Sequence, residues 1–110
     1  MPVSRPLTVL CTYRPKKGRE KEFHALLRKH WPALNRADLV SKEPPRIWRA
    51  SDKWSGRVFF VEIFQWKDAQ ASVTAHKTPG VMAVWKPMDA LLEKRELALI
   101  SPLRMPFTKP

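Results

Sequence analysis

His76 is the residue of this sequence best suited to move a proton, because imidazole titrates near neutral pH and accepts a proton from a phenol or an enol. It lies within residues 75–79, where one helical pattern gives way to another. Tyr13 shares a strand face with Val9 and Cys11, and its hydroxyl is a candidate donor to an oxyanion. We therefore predict His76 as the base and Tyr13 as its electrostatic helper. The alternative for each is a structural role, at a helix junction and in the core.

Four further side chains are predicted to contact a substrate without reacting. A nucleophilic thiol needs a lowered pKa and a paired base, and the residues adjacent to Cys11 supply neither. Cys11 is therefore expected to be an apolar wall. Trp48, Trp66 and Trp85 offer flat aromatic walls for a flat substrate. Ordinary core packing is the alternative for each tryptophan.

The spacing of histidines and glycines does not indicate a metal or a nucleotide cofactor. His24 and His30 are six residues apart, about 240° round a helix, and cannot share one ion. Gly18, Gly56 and Gly80 are isolated from one another, so no glycine-rich phosphate loop is formed. The sequence predicts a protein with no metal and no cofactor.

Glu62 is a carboxylate in an otherwise apolar strand, on the same side as Phe60 and Phe64. A buried carboxylate needs a partner or a raised pKa. Arg14 and Arg49 are the partners considered for it. Glu62 is then either half of a structural ion pair or a buried acid.

The first elements that position these residues follow from the apolar pattern. Residues 7–13 mix β-branched and apolar types and predict a strand that stops at Pro15. From Gly18 onward, apolar residues at helical spacing predict a helix. This helix should bend or end near Trp31, because Pro32 follows and removes a backbone hydrogen bond.

The middle of the chain predicts a hairpin followed by a short helix. Residues 46–50 predict a second strand, 51–56 a polar loop with a glycine, and 57–66 the strongest strand. Asp68 can cap a short helix that runs through His76, because its carboxylate accepts from the free amides of the first turn.

A second helical pattern and a last strand complete the order. Thr78 is a candidate cap and Pro79 suits the first helical position. Pro87 lies inside this helix and should kink it. Residues 96–100 predict the last strand, and a proline-containing tail covers 101–110.

The order strand, helix, strand, strand, helix, strand predicts an α+β, ferredoxin-like split βαβ fold. Its four-stranded antiparallel sheet carries helices on one face. We predict one domain over residues 1–110 with its core in 7–100. In the strand over 57–66, Phe59, Val61 and Ile63 point to one side and Val58, Phe60 and Phe64 to the other, so both sheet faces are apolar and the face without helices would expose an apolar patch. Such a patch predicts a homodimer joined through this sheet face.

The charge of the chain suggests an anionic partner without identifying it. Lys and Arg total 21 against 10 Asp and Glu, a formal net charge of +11. This excess attracts nucleic acid, anionic lipid or small anionic ligands, and it also serves solubility alone. The RNA-recognition motif shares the predicted element order, but its aromatic octet fails here at four positions, Gly56, Arg57, Val58 and Ile63. We expect a small apolar or anionic organic ligand, and nucleic-acid binding through the basic face stands as a third alternative behind it.

Two further expectations concern location. The longest apolar run is far shorter than the roughly 20 residues of a membrane span, so no membrane association is expected. One cysteine, Cys11, allows no internal disulfide, and the first residues do not follow a secretory pattern. A cytoplasmic protein is predicted.

The residues also resemble a known family, the antibiotic-biosynthesis-monooxygenase-like proteins of the dimeric α+β barrel class. The resemblance covers most of residues 7–100. Its carriers are the strand 61–66 that ends in Trp66, the following Lys67 and Asp68, the helix end 75–79, and residues 81–85.

The resemblance implies a dimeric α+β barrel. The family includes cofactor-free oxygenases of phenolic or quinol-like substrates. In such an oxygenase, the protein stabilises a substrate carbanion or phenolate that itself reacts with O₂. His76 would be the base and Tyr13 its helper. The heme-degrading branch matches poorly, because the position of its asparagine falls at Cys11 and Trp66 ends a strand. A non-catalytic ligand-binding or interaction module remains the alternative function.

Overall fold

The computed structural model of the protein describes residues 5–103. The predicted tail therefore lies outside the described residues from position 104 onward. The elements in chain order are β1 (Leu7–Pro15), α1 (Glu20–Arg36), β2 (Arg46–Ser51), β3 (Val58–Trp66), α2 (Ala71–Ala75), α3 (Pro79–Ala90) and β4 (Leu92–Ile100).

The four strands form one antiparallel sheet in the order β2-β3-β1-β4. Its register sets Cys11 opposite Glu62, and Tyr13 between Phe60 on β3 and Arg95 on β4. Directly opposed residues point to the same side of a sheet. The predicted ferredoxin-like α+β fold is confirmed.

One face of the sheet is buried beneath the helices. Alternate residues of β1 and β3 are buried, as the two-residue period of a strand requires. These residues are Val9, Cys11, Tyr13, Phe60, Glu62, Phe64 and Trp66. The buried residues of α1 and α3 that join the same cluster are Phe23, Leu27, Leu34, Val81 and Met88. The core therefore lies between the sheet and these two helices.

The opposite sheet face is partly exposed and carries an apolar patch centred on β3. Phe59, Val61 and Ile63 are each partly exposed there. Trp48 stands opposite Val61 in the register of β2 and β3, so it lies on this face and remains 48% exposed. Within residues 5–103, no helix has both the length and the apolar character needed to cross a bilayer.

The structure differs from the sequence pattern at two element boundaries. The sequence predicts that α1 bends or ends near Trp31, and the helix does not end there but continues through Pro32 to Arg36. Pro32 lies on the exposed side of α1, where water can satisfy the carbonyl that loses its partner. Strand β4 begins at Leu92 instead of residue 96. Its first half is charged and lies at a sheet edge, so it lacks the apolar alternation that marks a strand.

The cap predictions around the short helix are confirmed in part. Asp68 Oδ1 accepts from the backbone N–H groups of Gln70 and Ala71, at 3.0 and 2.9 Å. Pro79 is the first residue of α3, as predicted. The Thr78 side chain does not cap α3, because its hydroxyl donates backward to the carbonyl oxygen of Thr74 at 2.8 Å.

Candidate functional site

A cavity of about 170 Å³ lies between the sheet and helices α2 and α3. Its wall includes five of the six residues predicted as site residues: Cys11, Tyr13, Trp66, His76 and Trp85. Strands β1, β3 and β4 supply the floor, and α2 together with α3 from Met82 to Asp89 supplies the cover. The folded chain thus brings together residues that are up to 74 positions apart (85 − 11).

Trp48 is the predicted site residue that the structure does not bring to this cavity. It lies on the opposite face of the sheet, in register with Val61. The prediction grouped it with Trp66 and Trp85 by residue type, but side chains on a strand alternate between faces, and Trp48 points away from the helices. Its placement in the cavity is therefore wrong.

His76 follows α2 and presents one ring nitrogen as a free acceptor. Its Nδ1 lies 2.8 Å from the carbonyl oxygen of Ser72, one helical turn earlier. A carbonyl can only accept, so Nδ1 carries the proton and donates it. In the neutral ring, Nε2 then has an unshared electron pair. The ring also meets Trp85 edge to face, with centroids 4.9 Å apart. These contacts orient an otherwise exposed imidazole beside the cavity.

Tyr13 is held by a buried carboxylate. Its hydroxyl donates to Glu62 Oε1 at 2.7 Å. Burial raises the pKa of Tyr13 well above its ordinary value, and the neighbouring Glu62 carboxylate raises it further. Since the single hydroxyl proton is already donated to Glu62, Tyr13 is not free to donate to an oxyanion in this arrangement. The structure makes it a cavity wall and a support for Glu62.

The partners of Glu62 are not the ones predicted from the sequence. His30 Nδ1 lies 2.9 Å from Oε1 and 3.1 Å from Oε2 of this fully buried carboxylate. Arg14 instead lies 4.0 Å from Asp52. Arg49 is exposed on the edge strand β2. Glu62 is thus satisfied by Tyr13 and His30.

His30 is a cavity residue that the sequence analysis missed. It lies on the buried stripe of α1 and is only 3% exposed, yet it lines the cavity. The signal was present as two isolated ionisable residues on apolar faces, His30 on a helix and Glu62 on a strand. Buried charged groups are generally paired, so each could have been assigned as the partner of the other.

Cys11 is a neutral wall of the cavity. Burial raises the pKa of its thiol from 9.0 to about 12. The thiolate is the nucleophilic form of cysteine, and with a pKa this high it is nearly absent at neutral pH. The geometry agrees with the expected apolar role.

Trp66 and Trp85 form an aromatic corner. Their ring centroids are 6.4 Å apart with an interplanar angle of 84°. Trp85 also approaches His30, with centroids 6.1 Å apart. Trp85 therefore contacts both histidines of the cavity, His30 on α1 and His76 after α2. Among residues 5–103, no group of three or more His, Cys, Asp or Glu side chains is arranged to hold a metal ion.

Comparison with known proteins supports the fold through structure alone. No family model matches the chain, and no curated protein matches it at a significant level. Solved structures do match over nearly the whole chain. SnoaB from Streptomyces nogalater, a cofactor-independent oxygenase, has a TM-score of 0.68 at 17% identity, covering 96% of this chain and 100% of its own.

Two further structures give the same picture. A NIPSNAP family protein from Agrobacterium tumefaciens has a TM-score of 0.66 at 13% identity, covering 98% of this chain and 93% of its own. A protein from Nitrosomonas europaea, provisionally described as an antibiotic biosynthesis monooxygenase, has a TM-score of 0.67 at 10% identity, covering 94% and 95%. The predicted resemblance is confirmed at the level of the fold, which these proteins and this chain share.

Proposed function

We propose that this protein binds a flat phenolic or quinol-like molecule in the cavity between sheet and helices, and oxygenates it without a cofactor. The observation that carries the proposal is the position of His76 beside an aromatic-lined cavity, with Nδ1 donating to Ser72 and Nε2 free to accept. SnoaB, which shares the fold, is a cofactor-independent oxygenase.

The cavity suits a small aromatic ligand. An apolar cavity of roughly 150 Å³ in a protein interior holds benzene, so the volume of about 170 Å³ admits at least one aromatic ring. Trp66 and Trp85 offer ring faces and edges to a flat molecule. Arg95 and Asp89 both line the cavity and pair with each other at 2.7 Å, so this part of the wall carries an ion pair.

The proposed reaction needs only a base, the substrate and O₂. His76 accepts a proton from a substrate CH₂ that is activated by an adjoining aromatic ring. The resulting carbanion supplies the electrons that bind O₂, giving a peroxide. Loss of water then leaves a carbonyl group: one oxygen atom stays in the product, and the other leaves as water with both hydrogens of the CH₂. The substrate is oxidised, O₂ is reduced, and His76 returns to its neutral form.

Oxygen consumption tests this proposal directly. Anthrone, whose CH₂ group lies between two aromatic rings, is incubated with the protein and a metal chelator in an oxygen electrode. Wild type should consume O₂ above the buffer rate, and His76→Gln should lower that rate on the order of a hundredfold or more. His24→Gln is the matched control, because His24 is exposed on α1 and stacks on Phe60 away from the cavity. No uptake by wild type, or an undiminished rate in His76→Gln, would count against the proposal.

We further propose that the protein is a homodimer joined through the open sheet face. Trp48, Val61 and Ile63 lie on that face and are exposed or partly exposed. Contiguous apolar surface of this kind is characteristic of protein interfaces. At roughly 25 cal/mol per Å², burial of three such side chains per subunit contributes several kcal/mol. The helices occupy the other face, so the dimer leaves the cavity in each subunit intact.

A non-catalytic ligand-binding module is the second candidate function. It is favoured by the contact of His76 with its own helical turn and by the commitment of the Tyr13 hydroxyl to Glu62. Such a module would bind anthrone in the cavity, quenching the fluorescence of Trp66 and Trp85, but would consume no O₂. Oxygen uptake and quenching of tryptophan fluorescence, measured together, therefore separate the two candidate functions.

A further inference from the structure

Glu62 and His30 form a buried pair that the proposed chemistry of His76 does not use. Glu62 is fully buried, and His30 is 3% exposed. The pair joins β3 to α1 across the core, with Nδ1 of the histidine 2.9 Å from the carboxylate. Buried pairs of this type are often purely structural. Here, however, the histidine also lines the cavity, which gives it access to a ligand.

The hydrogen bonds around Glu62 fix the form of the imidazole. Tyr13 donates its only hydroxyl proton to Oε1, and both carboxylate oxygens face Nδ1 of His30. An ionised carboxylate can only accept, so Nδ1 carries the proton. Nε2 of the neutral ring is then an acceptor. A carboxylate in this position holds the imidazole in one tautomer and orientation, and it stabilises the imidazolium that forms when Nε2 takes up a proton.

His30 lines the cavity, and its Nε2 makes no hydrogen bond with the described residues. Phe64 and Trp85 pack on the ring, with centroids 5.5 and 6.1 Å away, and hold it against the wall.

We propose that His30, positioned by Glu62, is a second proton acceptor at the inner end of the cavity and takes up the hydroxyl proton of a bound phenol. The bond that breaks is the phenol O–H, and the proton passes to Nε2. The product is a phenolate facing an imidazolium that is paired with Glu62. This inference rests on the proposed phenol-binding cavity. It narrows the substrate class to aromatics that carry an acidic hydroxyl and enter with that hydroxyl first.

The other ionisable groups of the cavity do not replace this pair. Tyr13 and Cys11 on the sheet are neutral and protonated, and Arg95 on β4 carries a charge but accepts no proton. Asp89 is engaged by Arg95, at 2.7 Å. His76 is the only other cavity imidazole among the described residues, and it lies on the cover. Proton release by a bound phenol thus has two candidate acceptors, His30 and His76, which an experiment can tell apart.

The test uses para-nitrophenol, whose anion is coloured while its neutral form is not. The protein is added to the probe at a pH where most of the free probe is neutral, and growth of the anion band measures proton transfer. Binding is followed separately by quenching of tryptophan fluorescence. His30→Gln should weaken binding of the anion on the order of tenfold to a hundredfold, because it removes a charge-assisted hydrogen bond. His24→Gln is the control and should match wild type.

A second measurement on wild-type protein identifies the proton acceptor without a core substitution. The chain has three histidines, so their ring nitrogens can be followed by NMR after isotope labelling. The signals lost in His24→Gln and His76→Gln identify those two residues and leave the third to His30. With bound probe, Nε2 of His30 should shift from the unprotonated to the protonated range. Glu62→Gln should abolish that shift if the carboxylate positions the ring and stabilises its charged form.

Each outcome bears on the inference. Probe bound in the cavity with His30 Nε2 still unprotonated, or protonation of His76 alone, would overturn it while leaving the proposed phenol binding in place. Failure of wild type to bind the probe would overturn both. Protonation of His30 without O₂ uptake on anthrone would support this inference and contradict the proposed oxygenation. A merely structural His30–Glu62 pair would lower stability in His30→Gln but would show no protonation on probe binding.

Discussion

The hydroxyl of Tyr13 offers a quantitative test of the buried network. Tyr13→Phe removes one hydrogen bond to an ionised carboxylate and leaves the ring in place. Hydrogen bonds to charged groups contribute about 1.5–3 kcal/mol, and loss of a partner from a fully buried group costs more than loss from an exposed one. Glu62 keeps its contacts with His30, so the lower half of this range applies. We expect a loss of about 2 kcal/mol, or roughly 8 °C in Tm for a chain of this size.

Urea unfolding followed by tryptophan fluorescence measures this loss. Protein concentration is held fixed, because assembly would otherwise contribute to the apparent stability. Thr74→Val is the matched control, since it removes a hydroxyl from an exposed position of α2, away from Glu62 and from the proposed dimer face, and should change stability by less than about 0.5 kcal/mol. A double-mutant cycle with Glu62→Gln should give a coupling of about 1 kcal/mol or more. Tyr13→Phe within about 0.5 kcal/mol of wild type, or zero coupling, would refute the reasoning.

Three further predictions address pH, assembly and the cavity wall. Burial raises the pKa of the Cys11 thiol in the folded protein, so the thiol of the unfolded chain loses its proton at a lower pH. The free energy of unfolding should therefore fall by about 1.4 kcal/mol per pH unit as pH rises from 9.0 toward 12. Urea titrations should show a smaller slope in Cys11→Ala, and an unchanged slope would contradict burial of the thiol. Trp48→Asp should lower the mass measured by light scattering from that of a dimer to that of a monomer, whereas Trp54→Asp, in an exposed loop, should leave it unchanged. A dimer in both variants would place the interface elsewhere. Trp85→Ala should weaken anthrone binding about tenfold or more by fluorescence titration, and unchanged affinity would remove Trp85 from the site.

The sequence was most informative where local chemistry and pattern agree. The strand predicted over 57–66 is observed at Val58–Trp66, and the helix predicted to start at Pro79 does start there. In both segments the apolar period and the flanking turn or cap residues point to the same element. His76 was likewise found near the cavity, because its position between two helical patterns is a local property.

The sequence was least informative where the outcome depends on distant neighbours. The His30–Glu62 pair spans 32 positions and depends on how α1 lies across the sheet, which no local pattern encodes. Trp48 shows the same limit, because the face on which it lies depends on the register of β2 with β3. The passage of α1 through Pro32 depends on the exposure of that side of the helix. Each of these outcomes follows from tertiary packing.

A crystal structure of the protein grown with anthrone in the absence of O₂ tests the proposed ligand site most directly. One anthrone molecule should occupy the cavity, with its rings against Trp66 and Trp85 and its CH₂ group facing the unprotonated Nε2 of His76. A cavity filled by side chains, or anthrone bound only at another surface, would contradict the assignment of this cavity as the functional site.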